Sequence, residues 1–155
     1  MPQTENLRRA ALVTGGAKGI GRAICRALAE NGMNIAVNDA GSAAAAEDTA
    51  AACRALGGEA VTLQADVRSP EACQKLVEDT AAAFGRIDVL VNNAGITADK
   101  LLLRMTEADF DNVLAANLKG AHRQRQQCGR PARQRRSGQL RRQQGRSDRP
   151  GKERR

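Results

Sequence analysis

The stretch ALVTGGAKGIGRAICRALAENG, Ala11–Gly32, decides the fold. It begins as a short apolar run, crosses TGGAKGIG from Thr14 to Gly21, and continues with apolar residues at helical spacing until Gly32. Glycines at 15, 19 and 21 permit a tight turn, bring backbone N–H groups close to an anion, and let the helix pack on the strand. The helix N-terminus adds a positive partial charge at the same place. A glycine pattern by itself is weak; a strand before it and a helix after it are the context that points to a pyrophosphate loop rather than a ligand-free turn.

Working outward, the same alternation repeats. NIAVND, EAVTLQAD and IDVLVNNAG read as strands, while SAAAAEDTAAACRALGG, SPEACQKLVEDTAAAFG and TEADFDNVLAANLKG read as helices. Four strand-helix pairs in strict order predict an α/β fold, a Rossmann-type parallel sheet with flanking helices. The boundaries agree. Ser69-Pro70 offers an N-cap and a proline at the first helical position, Thr106 with Asp109 resembles a capping box, and Gly32, Gly57 and Gly85 stand where helices stop. Apolar runs such as ALV and VLV predict strands buried on both faces.

Strand C-termini in such sheets are where ligands bind. Asp39 ends the second strand, where an acid accepts hydrogen bonds from a ribose diol and repels a 2′-phosphate; otherwise it is a solvated strand-end acid. That favours NAD, although Lys18 within the glycine loop offers NADP a cation. Asp66, followed by Val67, ends the third strand and faces an adenine edge or caps the strand. NNAG, Asn92–Gly95, ends the fourth with two amides and a glycine, as a ligand contact or a plain turn.

The chain has 155 residues, room for one domain, and a formal net charge of +8 from 25 Lys/Arg and 17 Asp/Glu. The charge is unevenly placed: residues 1–120 hold 12 basic and 15 acidic side chains, and residues 121–155 hold 13 and 2. Boundaries follow from this, with the dinucleotide-binding part at 1–120 and an Arg/Gln-rich, disordered basic tail at 121–155. Cys25, Cys53, Cys73 and Cys128 have no paired spacing, and His122 has no metal-ligand neighbour, so a reduced, cytoplasmic protein without a metal is expected. The start MPQTENLRRA lacks an apolar signal region and no long apolar run exists, so no membrane partner is expected.

Together TG-x-x-x-GIG, Asp39, Asp66-Val67, NNAG and the later Asn117 in NLKG resemble the short-chain dehydrogenase/reductase family, most of all its 3-oxoacyl-(acyl carrier protein) reductase branch, over roughly residues 8–121. The resemblance implies an oxidoreductase that moves hydride between the nicotinamide of NAD or NADP and a 3-oxoacyl thioester or other small carbonyl compound; members of the family are usually homotetramers, and this chain is expected to lack most of that interface. It assigns cofactor contacts to Thr14, Gly15, Lys18, Gly19, Ile20, Gly21, Asp39, Asp66, Val67, Asn93, Ala94 and Gly95. Asn117 matches the Asn of the family's Asn, Ser and Tyr-x-x-x-Lys catalytic set; otherwise it is a tolerated amide at a buried helix end, on a face with Phe110, Val113 and Leu114.

The remainder of that set has no match. The chain contains no tyrosine, and carbonyl reduction of this type uses a phenol as general acid. The tail's composition suggests a GC-rich coding sequence read out of frame. Combining the last two bases of each codon with the first of the next, a tyrosine needs a residue with T as its second base, and Leu140 is the only one after Ala121. Four residues on, Gln144-Gly145 gives only Lys or Arg; thirteen before, Gln127-Cys128 gives only Asn or Ser. The family's Ser, Tyr and Lys spacing thus stands in the wrong frame, and a catalytically inactive chain is expected. The alternative is a nucleic-acid-binding protein acting through the basic tail, which lacks aromatic residues for base stacking. Strand order 3-2-1-4 is expected, with the fourth strand at an open edge.

Overall fold

A computed structural model describes residues 8–128 of the chain. The elements run β1 (Ala10–Val13), α1 (Gly19–Glu30), β2 (Asn34–Asp39), α2 (Ala43–Arg54), β3 (Ala60–Gln64), α3 (Pro70–Phe84), β4 (Val89–Val91), a 3₁₀ turn (Leu102–Arg104), α4 (Glu107–Leu114), a π-helical segment (Ala115–Gly120) and α5 (Ala121–Cys128). The four strands form one parallel sheet in the order β3-β2-β1-β4.

Side chains alternate along a strand, so the uniformly apolar β1 feeds two cores. Ala11 and Val13 join Ile35, Val37, Cys25, Ala29, Ala50 and Cys53 beneath α1 and α2. Ala10 and Leu12 join Ala36, Leu76, Val77 and Phe84 beneath α3. β1 is buried at every residue, as its composition predicts, but Val89–Val91 of β4 are only half-buried. β4 pairs with β1 alone among the described residues, so its second flank lacks the neighbour that completes burial.

Local chemistry sets the helix ends. The Ser69 side chain accepts from the Ala72 amide and Pro70 starts α3. Thr106 and Asp109 form a reciprocal capping box on α4, and Lys100 grips the same carboxylate at 2.8 Å. Together these hold the Asp109 carboxyl well below the usual range, the Lys100 hydrogen bond first.

The helix from Glu107 does not stop near Gly120. It passes through π geometry and continues to Cys128, eight residues into the tract expected as tail. The Gly120 Cα lies against the β3–α3 turn, where an added Cβ would stand 2.8 Å from the Val67 carbonyl oxygen. α5 is thereby seated on α3, where it buries Gln124 with its Nε2 unpartnered. Residues 129–155, which carry most of the out-of-frame and nucleic-acid readings, including Leu140 and Gln144, lie outside the described residues.

Candidate functional site

The C-terminal ends of the four strands meet at a cleft of about 250 Å³ lined by Gly15, Asn38, Asp39, Ala40, Ala65, Asp66, Val67, Arg68, Ala94, Gly95, Ile96 and Ala116. Six of the sequence-assigned residues therefore share one concavity: Gly15, Asp39, Asp66, Val67, Ala94 and Gly95. Thr14, Lys18, Gly19, Ile20, Gly21, Asn93 and Asn117 do not line it.

Thr14 and Asn93 build the floor. Thr14 is 1% exposed. Its hydroxyl donates to the Val91 carbonyl at 3.2 Å and accepts from the Asn93 and Ala94 amides at 3.2 and 3.1 Å. The Asn93 side chain donates to the Thr14 and Gly15 carbonyls at 3.0 and 2.9 Å. These two side chains hold the glycine loop against the end of β4, and those bonds are directed into the protein.

The loop's shape then depends on a missing side chain. A Cβ on Gly21 would lie 2.1 Å from the Gly15 carbonyl oxygen and 2.5 Å from Asn93 Nδ2, so α1 reaches the loop only with hydrogen at this position. Lys18 is the α1 N-cap and makes no side-chain capping bond, and the first helical turn carries no acid. The first backbone bond of the helix runs from the Arg22 amide to the Lys18 carbonyl, which leaves the Gly19, Ile20 and Gly21 amides outside the helical ladder. Lys18, Gly19 and Ile20 are exposed, Ile20 by 75%. Exposed donors at a helix N-terminus suit an anionic group.

Asp39 turns back on its own chain. Oδ1 accepts from the Gly41 and Ser42 amides at 2.8 and 2.6 Å, which fixes the start of α2. The carboxylate lines the cleft with Oδ2 as its remaining acceptor. Asp66 takes a different partner. Arg68 donates from Nε at 3.1 Å to Oδ1 and 3.0 Å to Oδ2, from Nη2 at 2.7 Å to Oδ2, and from its backbone amide at 2.9 Å to Oδ1. This fork holds the Asp66 carboxyl below the usual carboxylate range.

Asn117 sits in the π segment and is exposed. It is therefore not an amide buried at a helix end, and Phe110, on its expected apolar face, is 56% exposed. The Asn117 side chain accepts from the Ile96 amide at 2.8 Å and donates to the Ile96 carbonyl at 3.0 Å, clamping the loop that follows Gly95. A one-residue widening of the helix is not visible in residue spacing, although such widenings are frequent at functional sites.

Six cleft residues escaped the sequence reading, and two of them, Asn38 and Arg68, carry polar side chains. Asn38, 1% exposed, donates to the Leu63 and Ala65 carbonyls at 3.0 and 3.1 Å and joins the ends of β2 and β3. A polar residue inside an apolar strand was its signal. Arg68 follows Asp66 by two, the spacing of a turn-closing pair. The cysteines stay out of the chemistry: burial, and then neighbouring Cys53, pushes the Cys25 thiol up to about 12. Among the described residues no three His, Cys, Asp or Glu side chains are grouped to hold a metal, and no helix is long and apolar enough to cross a membrane.

Comparison with known proteins agrees with this geometry. The short chain dehydrogenase family profile matches residues 9–140. The chain is 46% identical over 114 residues to the 3-oxoacyl-[acyl-carrier-protein] reductase FabG of Staphylococcus epidermidis, covering 74% of this chain and 47% of that protein. It is 50% identical over 110 residues to the 3-oxoacyl-[acyl-carrier-protein] reductase of Synechocystis, covering 71% and 44%. A short chain dehydrogenase from Burkholderia cenocepacia, solved in complex with NADP, superposes with a TM-score of 0.76 at 40% identity, over 79% of this chain and 50% of that one. The chain spans about half the length of the curated relatives it matches. On the profile match and these relatives, the chain belongs to the short chain dehydrogenase family.

Proposed function

We propose that residues 8–128 bind the adenosine and pyrophosphate half of a nicotinamide dinucleotide, with NAD favoured over NADP. The observation that carries this is a cleft at the strand ends that gathers Gly15, Asp39, Asp66, Val67, Ala94 and Gly95 beside the uncapped N-terminus of α1. The residues fit the group. The Gly19–Gly21 amides receive the pyrophosphate, the free oxygen of Asp39 accepts from a ribose diol and repels a 2′-phosphate, and Asp66 with Val67 meets the adenine. Thr14 and Asn93 shape the loop. Bound cofactor supplies a hydride, and the names of the FabG relatives favour a 3-oxoacyl thioester as the substrate class of this branch.

By itself this 155-residue chain is inactive in carbonyl reduction. Asn117 is committed to the Ile96 backbone, and with no tyrosine the chain has no phenol to donate the proton. The out-of-frame reading of the tail accounts for that loss.

Titration calorimetry of the full chain tests the binding. NAD and ADP-ribose should bind with similar affinity and NADP more weakly; tighter NADP binding overturns the role given to Asp39, and no binding by folded protein overturns the site. Cofactor oxidation with a 3-oxoacyl thioester should not exceed the blank. The gene tests the tail: read one base later, the Leu140 codon with the first base of Arg141 should give TAC, and Gln144 with Gly145 should give AAG.

A further inference from the structure

Residues 66–69 lie between β3 and α3 and belong to neither, yet Val67 and Arg68 line the cleft, so the shape of this wall depends on what grips it. Part of the grip is local: the Ser69 amide donates to the Asp66 carbonyl at 3.1 Å, and Arg68 holds the Asp66 carboxylate. Part comes from α3, where the Cys73 thiol donates to the Val67 carbonyl at 3.2 Å. The π-helical segment and α5 supply the remainder. Gly120 brings its Cα against Val67, where an added Cβ would stand 2.8 Å from the carbonyl oxygen and 3.2 Å from Cγ2. Half-buried Arg123 donates from Nη1 to the Arg68 carbonyl at 2.6 Å, across 55 residues of sequence. An ionised donor makes this the stronger kind of hydrogen bond.

Resting on the dinucleotide reading, we propose that Arg123 is a positioning residue for the nucleotide cleft: through the Arg68 carbonyl, and with Gly120 seated on Val67, it pre-orders the wall that the adenosine half meets. A wall left loose must be ordered when the ligand arrives, and the cost of that ordering is subtracted from the affinity. The first turns of the basic tract thereby serve the site, whatever coding frame produced them. An Arg123 that only pinned α5 to α3 would instead contribute to stability and leave the affinity of the folded protein unchanged.

The test is calorimetry of the full chain with ADP-ribose, with urea unfolding beside it. Arg123→Ala should bind ADP-ribose about three- to tenfold more weakly than wild type, the scale of ordering one or two side chains. Arg123→Lys keeps a charged donor on a stem of similar length and should recover most of that affinity. Arg125→Ala removes the same charge from an exposed position on the same helix and should bind as wild type does. If Arg123→Ala does not fold, Arg123→Gln, which keeps the hydrocarbon stem, carries the comparison. A lower urea midpoint with unchanged ADP-ribose affinity would overturn the positioning role, as would an equal loss of affinity in Arg125→Ala. Failure of folded wild-type chain to bind ADP-ribose would overturn the dinucleotide reading and this inference with it.

Discussion

Gly21→Ala is expected to destabilise the chain and abolish dinucleotide binding for one steric reason. The new Cβ would stand 2.1 Å from the Gly15 oxygen and 2.9 Å from the Gly15 carbonyl carbon, both backbone atoms that no rotamer change removes. A carbon and a carbonyl oxygen settle no closer than about 3.3 Å, so helix and loop must part by roughly 1 Å. Overpacking of this kind costs about 1–3 kcal/mol, and the backbone character of the obstacle favours the upper end. Asn93 Nδ2, at 2.5 Å from the same point, is displaced too. Its two bonds to the loop contribute about 1 kcal/mol each, giving a total of roughly 3–5 kcal/mol. With a urea slope of about 1.5 kcal/mol per molar, the unfolding midpoint falls by ~2–3 M. Gly19→Ala is the control, because its φ of 52° is strained for alanine but no atom lies within 4 Å of the added carbon; it should lose only about 1–2 kcal/mol. Urea unfolding followed by circular dichroism, with NAD calorimetry beside it, reads both quantities. A Gly21→Ala chain with the wild-type midpoint would refute the close approach of α1 to the loop.

Thr14→Val removes the hydroxyl that serves Val91, Asn93 and Ala94 in a buried place, and chemical denaturation should show a loss of about 2–3 kcal/mol. Asp39→Ala should equalise NAD and NADP affinities in calorimetry and lower stability by about 1 kcal/mol, because the Gly41 and Ser42 amides lose their acceptor. The Asp88 carboxyl is held below its usual range, by Arg86 first and then by the Ala10 amide. A depressed folded pKa contributes stability that is fully present above the unfolded value of about 4 and is lost as pH falls through the folded value. Urea midpoints taken from pH 6 downward should therefore fall less steeply for Asp88→Asn than for wild type.

What the sequence made legible was local. Ser69-Pro70, Thr106 with Asp109, and the helix-ending glycines act within one turn of themselves, so their spacing was enough to place helix ends. Strict alternation of strand and helix predicted a parallel sheet, while its order came with the family resemblance. Thr14 was less transparent: it was assigned as a ligand contact, and the structure gives its hydroxyl to a strand end 79 residues away in sequence. Asn117 lay beyond residue counting because π geometry rotates it away from the face on which Val113 and Leu114 are half-buried. The helical continuation to Cys128 was missed through weighing charge over propensity, since arginine and glutamine are good helix formers however poorly they build a core.

The bond between Thr14 and Asn93 also sets an order of events during synthesis. A growing chain that has emerged only as far as α3 can tie the glycine loop to Asn38 and Thr49 but not to the strand end that completes its shape. The cradle closes when β4 arrives, so it is among the last parts of these residues to acquire structure and cannot serve as their nucleus. In the finished chain the coupling runs in reverse. The Asn93 and Ala94 amides should exchange their protons only when β4 leaves the sheet, so their protection reports the opening of the whole sheet edge rather than the fraying of a loop.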